Sequence, residues 1–411
     1  MKSYLIHQST CNVLATACLV LAALLMPRQA LAISCSGNDL IDITMPSGAR
    51  WEMCWELRTE EGVVLSEVAY ETPGNIARTV MKEASLAGIN VAYDDGSTSI
   101  RPLTDLAGGG GLGANIDTLA AIDCTGGTLH QSGGNNVLCV KVVPRNYTYK
   151  SYANVKQGHA IQLESRSTIG TASYIVRWRF FDDGTINPQV GTAGELPIVG
   201  SNASRGWELD NTGRVGVAFN TSYFWRLDFD LDSNGSNEVV EEFEVTPSAN
   251  RLTKSLSVSM LSVEDSRSTS ADLKRSWRIR DQAGTTNADG RPISYHLEPL
   301  HIAHSYVGAS GDAWAQDDIH ITRYNSCERL FFDNPTTGGC GSDITQFVNS
   351  ESVISQDLVI WYKLNYHHVP RSEDEPAVQI HWDSFYIVPR DWTATNPLVK
   401  LLLWPMFGDH S

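Results

Sequence analysis

Runs rich in Val, Ile, Tyr, Phe and Trp recur along the whole chain, separated by clusters of Gly, Asn, Asp and Pro. The clearest are Tyr174 to Phe181, Val215 to Asp230, Glu238 to Val245, Leu358 to Tyr366 and Val378 to Val388. Branched and aromatic side chains suit a pleated surface, and turn formers between the runs end each one. Helical periodicity is nearly absent; the best candidate, Ala77 to Leu86, is short. The pattern predicts an all-β fold, a large antiparallel β-sandwich. Residues 33–411 are long enough to bury a large core, and the continuous strand pattern argues for one domain.

Residues 1–32 follow another plan. One lysine, an apolar run from Val13 to Met26 and the exit Ala30-Leu31-Ala32 make a secretory signal peptide cleaved after Ala32. The run is shorter than the ~20 residues that span a bilayer, which argues against an anchoring helix. Ala32-Ile33-Ser34 also suits lipid attachment at Cys35 poorly. No later stretch is apolar enough to span a membrane, so a secreted or periplasmic protein is expected.

Cysteine usage agrees with export. Cys11 and Cys18 leave with the signal, and the rest stand as close neighbours: Cys35 with Cys54, Cys124 with Cys139, Cys327 with Cys340. An oxidising compartment favours disulfides over a zinc or thiol site, although many pairings of six cysteines are formally open. The formal charge of −16, more negative still without Lys2 and Arg28, argues against nucleic acid and anionic membrane as partners. It suits cationic ligands such as amines, and it also keeps an exported protein soluble. The glycine run Gly108 to Gly111 lacks the Lys-Ser/Thr ending of a phosphate cradle and reads as a loop.

Motifs narrow the fold further. Thr168-Ile169-Gly170-Thr171-Ala172-Ser173 leads into an aromatic strand and the turn Asp183-Gly184-Thr185-Ile186. Arg226-Leu227-Asp228-Phe229-Asp230, Ser276-Trp277-Arg278-Ile279, Ile321-Thr322-Arg323-Tyr324-Asn325 and His368-Val369-Pro370-Arg371 with Glu373-Asp374 follow in order. This series resembles the copper amine oxidases. The resemblance implies the large sandwich of their catalytic domain, a Cys124–Cys139 disulfide, a homodimer, and the absence of the smaller domains that precede the sandwich in that family.

The same resemblance assigns site positions. Copper in the family is held by three imidazoles, two of them as His-x-His on one strand, where alternate residues face one side. Phe219 and Thr221 stand at those two positions, and no His-x-His occurs anywhere in the chain. His368 stands at the third. Ala172 stands where the family carries the tyrosine that becomes topaquinone, and alanine has no ring to oxidise. Tyr174, two residues on, reads as pocket wall. His301, His304, His320 and His381 are the remaining imidazoles that could substitute.

The base position falls on Gly108 when counted forward from Ile100-Arg101 and on Asp105 when counted back from Cys124, and both stay open. Asp228, Asp230 and Asp357, with the carbonyls of Phe229 and Leu358, match the family's peripheral hard-oxygen site for calcium. The expectation is therefore calcium present, copper and topaquinone absent, and Phe219 packed against His368 in the emptied position. By this reading the protein is a non-catalytic homologue acting as a binding or structural protein, with an exported protein or an amine as partner. An active primary-amine oxidase, or another enzyme using a different site in the same fold, is the alternative.

Overall fold

The computed structural model describes residues 33–35, 39–151, 155–233, 235–282, 284–300, 304, 306–309 and 312–399. The predicted signal peptide and His301 lie outside them. In chain order the strands are β1 (Leu40–Thr44), β2 (Arg50–Arg58), β3 (Gly62–Glu71), β4 (Arg78–Tyr93), β5 (Thr128–Ser132), β6 (Asn135–Lys150), β7 (Val155–Ile169) and β8 (Ala172–Phe181). Next come β9 (Ile186–Gly194), β10 (Val199–Gly200), β11 (Gly206–Glu208), β12 (Val215–Val217), β13 (Phe219–Phe229), β14 (Glu238–Pro247) and β15 (Lys254–Met260). The last are β16 (Asp265–Arg267), β17 (Ser276–Asp281), β18 (Ser294–Glu298), β19 (Ile319–Arg323), β20 (Leu358–His368), β21 (Val378–Ser384) and β22 (Tyr386–Arg390).

Two large antiparallel sheets face each other. One runs β1-β2-β3-β4-β13-β20-β19-β16; the other runs β15-β14-β17-β18-β22-β9-β8-β7-β6-β5, with β21 also paired to β9. Large aromatic side chains bridge them, because only side chains of that reach fill the space between stacked sheets at interior density. The Trp178 and Trp225 rings meet edge to face at 5.1 Å. Trp51 Nε1 donates across the gap to the Phe181 carbonyl at 2.9 Å, and the Tyr70 hydroxyl donates to the Asp182 carbonyl at 3.0 Å. The expected antiparallel sandwich is what the chain forms.

The one short stretch with helix-like periodicity, Ala77 to Leu86, is not helical: its residues belong to β4 from Arg78 on. β4 is central, paired to both β3 and β13. Ile89, Val91 and Tyr93 face the intersheet core, while Ala87 meets Phe224, Phe331 and Phe332 on the outer face. A strand covered on both sides loses polar alternation, and a short apolar run then imitates a helix. Disulfides join Cys35 to Cys54, Cys124 to Cys139 and Cys327 to Cys340.

Candidate functional site

β13 and β20 are paired along their whole length, from Phe219 opposite His368 to Phe229 opposite Leu358. Every residue of β13 is buried. Its odd-numbered residues Phe219, Tyr223, Trp225, Leu227 and Phe229 point between the sheets, and even-numbered Phe224 packs on the outer face. On β20 the even-numbered Tyr362, Leu364 and Ile360 point inward. Alternation of this kind places Phe219, Thr221, Tyr366 and His368 on one surface.

At that end of the ladder lies a cavity of about 490 Å³. It brings together positions scattered over the sequence: Asp105, Gly108, Ala172, Phe219, Thr221 and His368 all line it. Tyr174 and His381 line it as well. Ala172 opens β8, paired with Gly194 of β9, and its methyl packs against the core. The Phe219 ring sits 5.1 Å from the His368 ring at 42°. Phe219 thus takes the place beside His368 but leaves the cavity open rather than closing it.

His368 is held from behind. Its Nε2 lies 2.8 Å from Oδ2 of Asp374, a fully buried carboxylate that also accepts the Arg371 backbone N–H at 2.9 Å. Asp374 reaches this point through the short turn Ser372–Asp374, which folds the chain back under the end of β20. Opposite, the Tyr366 ring stacks on His381 at 3.4 Å and 13°, and His381 Nε2 lies 3.3 Å from Asp383 Oδ1. The Tyr223 and Thr192 hydroxyls are 2.6 Å apart. Burial raises the Tyr174 and Tyr223 phenols well above their ordinary range, so both are neutral hydroxyls at physiological pH.

Both candidates for the base position line the cavity, and the geometry shows why counting could not separate them. Asp105 Oδ1 accepts the Gly108 N–H at 2.9 Å, and a Cβ on Gly108 would come within 2.3 Å of Asp105 Oδ2. One exposed turn thus presents the Asp105 carboxylate where the glycine leaves room for it. Glu195 supplies a second carboxylate at the rim. Glu195, Asp374 and the Tyr366–His381 stack escaped the sequence reading. Period-two spacing of Tyr366 and His368 was the available signal for the stack; the Asp374 contact depends on a turn that no periodicity announces.

Of the other imidazoles, His320 is buried elsewhere, with Nδ1 2.7 Å from the Ser266 hydroxyl, and His304 lines a different cavity. The expected calcium set lies at the opposite end of the β13–β20 ladder, where Phe229 faces Leu358. There burial, opposed by Arg226, pushes the Asp228 carboxyl up to about 8, and burial pushes Asp357 up to about 6. Among the described residues no three His, Cys, Asp or Glu side chains are gathered as a metal-holding group.

This fold, with this cavity between its sheets, defines a copper amine oxidase enzyme domain. The family model "Copper amine oxidase, enzyme domain" matches residues 47–403, and the chain belongs to that family. It is similar to the primary amine oxidase of Arthrobacter sp. (strain P1), 26% identical over 416 residues, covering 88% of this chain and 62% of the relative. It is also similar to the primary amine oxidase of Klebsiella aerogenes, 26% identical over 402 residues, covering 84% of this chain and 52% of that protein. The chain thus spans little more than half the length of these relatives. Among solved structures, a copper-containing benzylamine oxidase from Hansenula polymorpha superposes with a TM-score of 0.71 at 18% identity, covering 91% of this chain and 64% of that one.

Family membership corrects the expectation about cofactors, calcium present with copper and topaquinone absent. Copper is in the name of the matching enzyme domain and of the structural relative, and the curated relatives are named for primary-amine oxidation. Whether these side chains fit a three-imidazole copper set is a separate question, and they do not. The cavity offers a phenyl ring at Phe219 and a hydroxyl at Thr221 beside His368, whose Nε2 is engaged by Asp374, while Ala172 brings a methyl group.

Proposed function

We propose that this chain uses the amine oxidase sandwich as a binding protein for a small organic cation, an amine above all, without oxidising it. The single observation that carries the reading is the pairing of Phe219 with His368 in a cavity whose β8 wall begins at Ala172. The cavity's other features support a cationic guest. Asp105 and Glu195 stand at its rim, Tyr93, Tyr174 and Phe219 give it aromatic walls, and neither lysine nor arginine is among its lining residues. Aromatic faces and carboxylates together recognise ammonium groups, and a net charge of −16 draws cations toward the protein. Export is part of the same reading, supported by the leader-like first 32 residues and the three disulfides, as is a homodimer, which light scattering checks.

The test is calorimetry with methylamine, benzylamine and putrescine, alongside a peroxide assay and phenylhydrazine labelling after aerobic incubation with copper. Binding of at least one amine, weakened by Asp105→Asn, with neither peroxide nor a coloured hydrazone, is expected. Peroxide released on adding an amine overturns the reading in favour of an active oxidase.

A further inference from the structure

The three strands that wall the cavity carry a different chemistry on their other face. Asn90 and Ala92 of β4, Asn220 and Ser222 of β13, and Asn365 and His367 of β20 alternate with the inward-facing residues and form two cross-strand rows. Asn90 faces Ser222, which faces Asn365; Ala92 faces Asn220, which faces His367. A row of amides and hydroxyls is an unusual choice for the middle of a large sheet, because each buried polar atom costs stability unless it is bonded.

These groups are bonded only in part. The Ser222 hydroxyl is 2.8 Å from Asn365 Oδ1 and 3.1 Å from Asn220 Oδ1. Asn90 is wholly buried, and neither its Nδ2 nor its Oδ1 has a hydrogen-bond partner among the described residues. Against the second row, Ala92, Asn220 and His367, lies an open cleft of about 570 Å³, separate from the cavity beside His368 except that Tyr93 borders both. Asn220 and His367 lie against it, with Asp94, Tyr93, Tyr306 and His304 around them. His367 Nε2 is 3.0 Å from Asp94 Oδ2, and His304 Nδ1 accepts the His367 backbone N–H at 3.1 Å. Lys363, buried on the same face of β20, anchors the covering segment by donating to the Tyr306 carbonyl at 2.9 Å.

We propose that this reverse-face cleft is a second binding site, and that its ligand is a neutral polyhydroxylated molecule, a saccharide. The chemistry selects that class. The Asn220 amide and the His304 and His367 imidazoles present donors and acceptors side by side, as vicinal hydroxyls require, and the Tyr93 and Tyr306 rings offer flat faces for the apolar side of a sugar ring. Neither lysine nor arginine is among the described residues lining the cleft, and the Arg205 guanidinium beside it donates to the Asp94 carbonyl at 3.2 Å, which leaves the lining itself without the cationic pair that would select a phosphate or carboxylate. Asp94, the one carboxylate among the described lining residues, is already engaged by His367, so a polyvalent cation finds no set of hard oxygens there.

Saturation-transfer NMR and calorimetry on the whole protein test this, with glucose, galactose, mannose, N-acetylglucosamine and their β-linked tetramers as probes at millimolar concentration. At least one sugar gives saturation transfer, and Asn220→Ala and Asp94→Ala each weaken its binding by about tenfold or more. Asp105→Asn, in the other cavity, leaves sugar binding unchanged, which separates this site from the amine reading. A melting curve for each variant checks that the fold is intact, and Asp94, exposed at the rim, gives the variant least able to disturb it. Absence of transfer from every sugar, sugar binding indifferent to both variants, or zinc bound tightly at His367 and Asp94 in its place would each overturn the proposal.

Discussion

Phe219 and His368 face each other across the β13–β20 ladder, their ring centres 5.1 Å apart. The phenyl ring is nine-tenths buried and packs against Tyr93 on its other side. Phe219→Ala should therefore cost about 3 kcal/mol of stability, near the low end for a buried phenylalanine because one side of the ring already meets a cavity. Chemical denaturation measures this, and a loss below about 1 kcal/mol would show that the ring contributes little to packing.

Asp374 fixes the His368 ring from behind and accepts from the Arg371 backbone as well. Removing a buried acceptor strands both donors, so Asp374→Ala should destabilise by about 2 to 3 kcal/mol, and His368→Ala by less than that. An Asp374→Ala protein as stable as the parent would mean that these bonds exchange with water at no cost.

His320 and His296 are buried and neutral. Burial, with Lys363 nearby, lowers His320 to about 3; burial, with Arg390 and Arg278, lowers His296 to about 4. Each folded pKa lies below the unfolded one, so the unfolded chain takes up protons first as pH falls. The stability these residues give is intact above about pH 6.5 and is lost progressively as pH falls through 4 toward 3. Melting temperatures across that range should fall, and His320→Phe should flatten the fall even if its absolute stability differs. An unchanged slope would assign the acid sensitivity to carboxylates.

Trp51 ties the two sheets by donating to the Phe181 carbonyl. Trp51→Phe keeps an aromatic ring in the core and removes that donor. A loss of about 2 to 4 kcal/mol should follow, from the stranded carbonyl and the volume lost together. Hydrogen exchange slowed or unchanged at the β2–β3 pairing would count against the bond as a link between layers.

Much of this was legible in the sequence because it depends on order and alternation. Ala172, Phe219, Thr221 and His368 were assigned by motif position, and the strands deliver all four to one cavity. β13 and β20 were readable as strands from their composition alone. β4 was not, since the phenylalanines that cover its outer face come from residues 331 and 332, far along the chain. Asp374 and Glu195 reach the site from a turn and from the end of a strand. Such positions follow from tertiary placement, which local pattern does not encode. The asparagine row on the reverse face was likewise hidden: Asn90, Asn220 and Asn365 become neighbours only through strand pairing.

The Phe219 end of β13 serves as a party wall, with Phe219, Thr221 and Tyr223 facing the cavity and Asn220 facing the cleft. Because side chains alternate strictly, inserting or deleting a single residue near Thr221 would swap the two faces, sending Asn220 and Ser222 into the cavity beside His368 and the aromatic residues into the polar cleft. Either chamber can therefore be remodelled letter by letter, but never by a change in the strand's length. Descendants of this chain should show a β13 of constant length between loops free to vary.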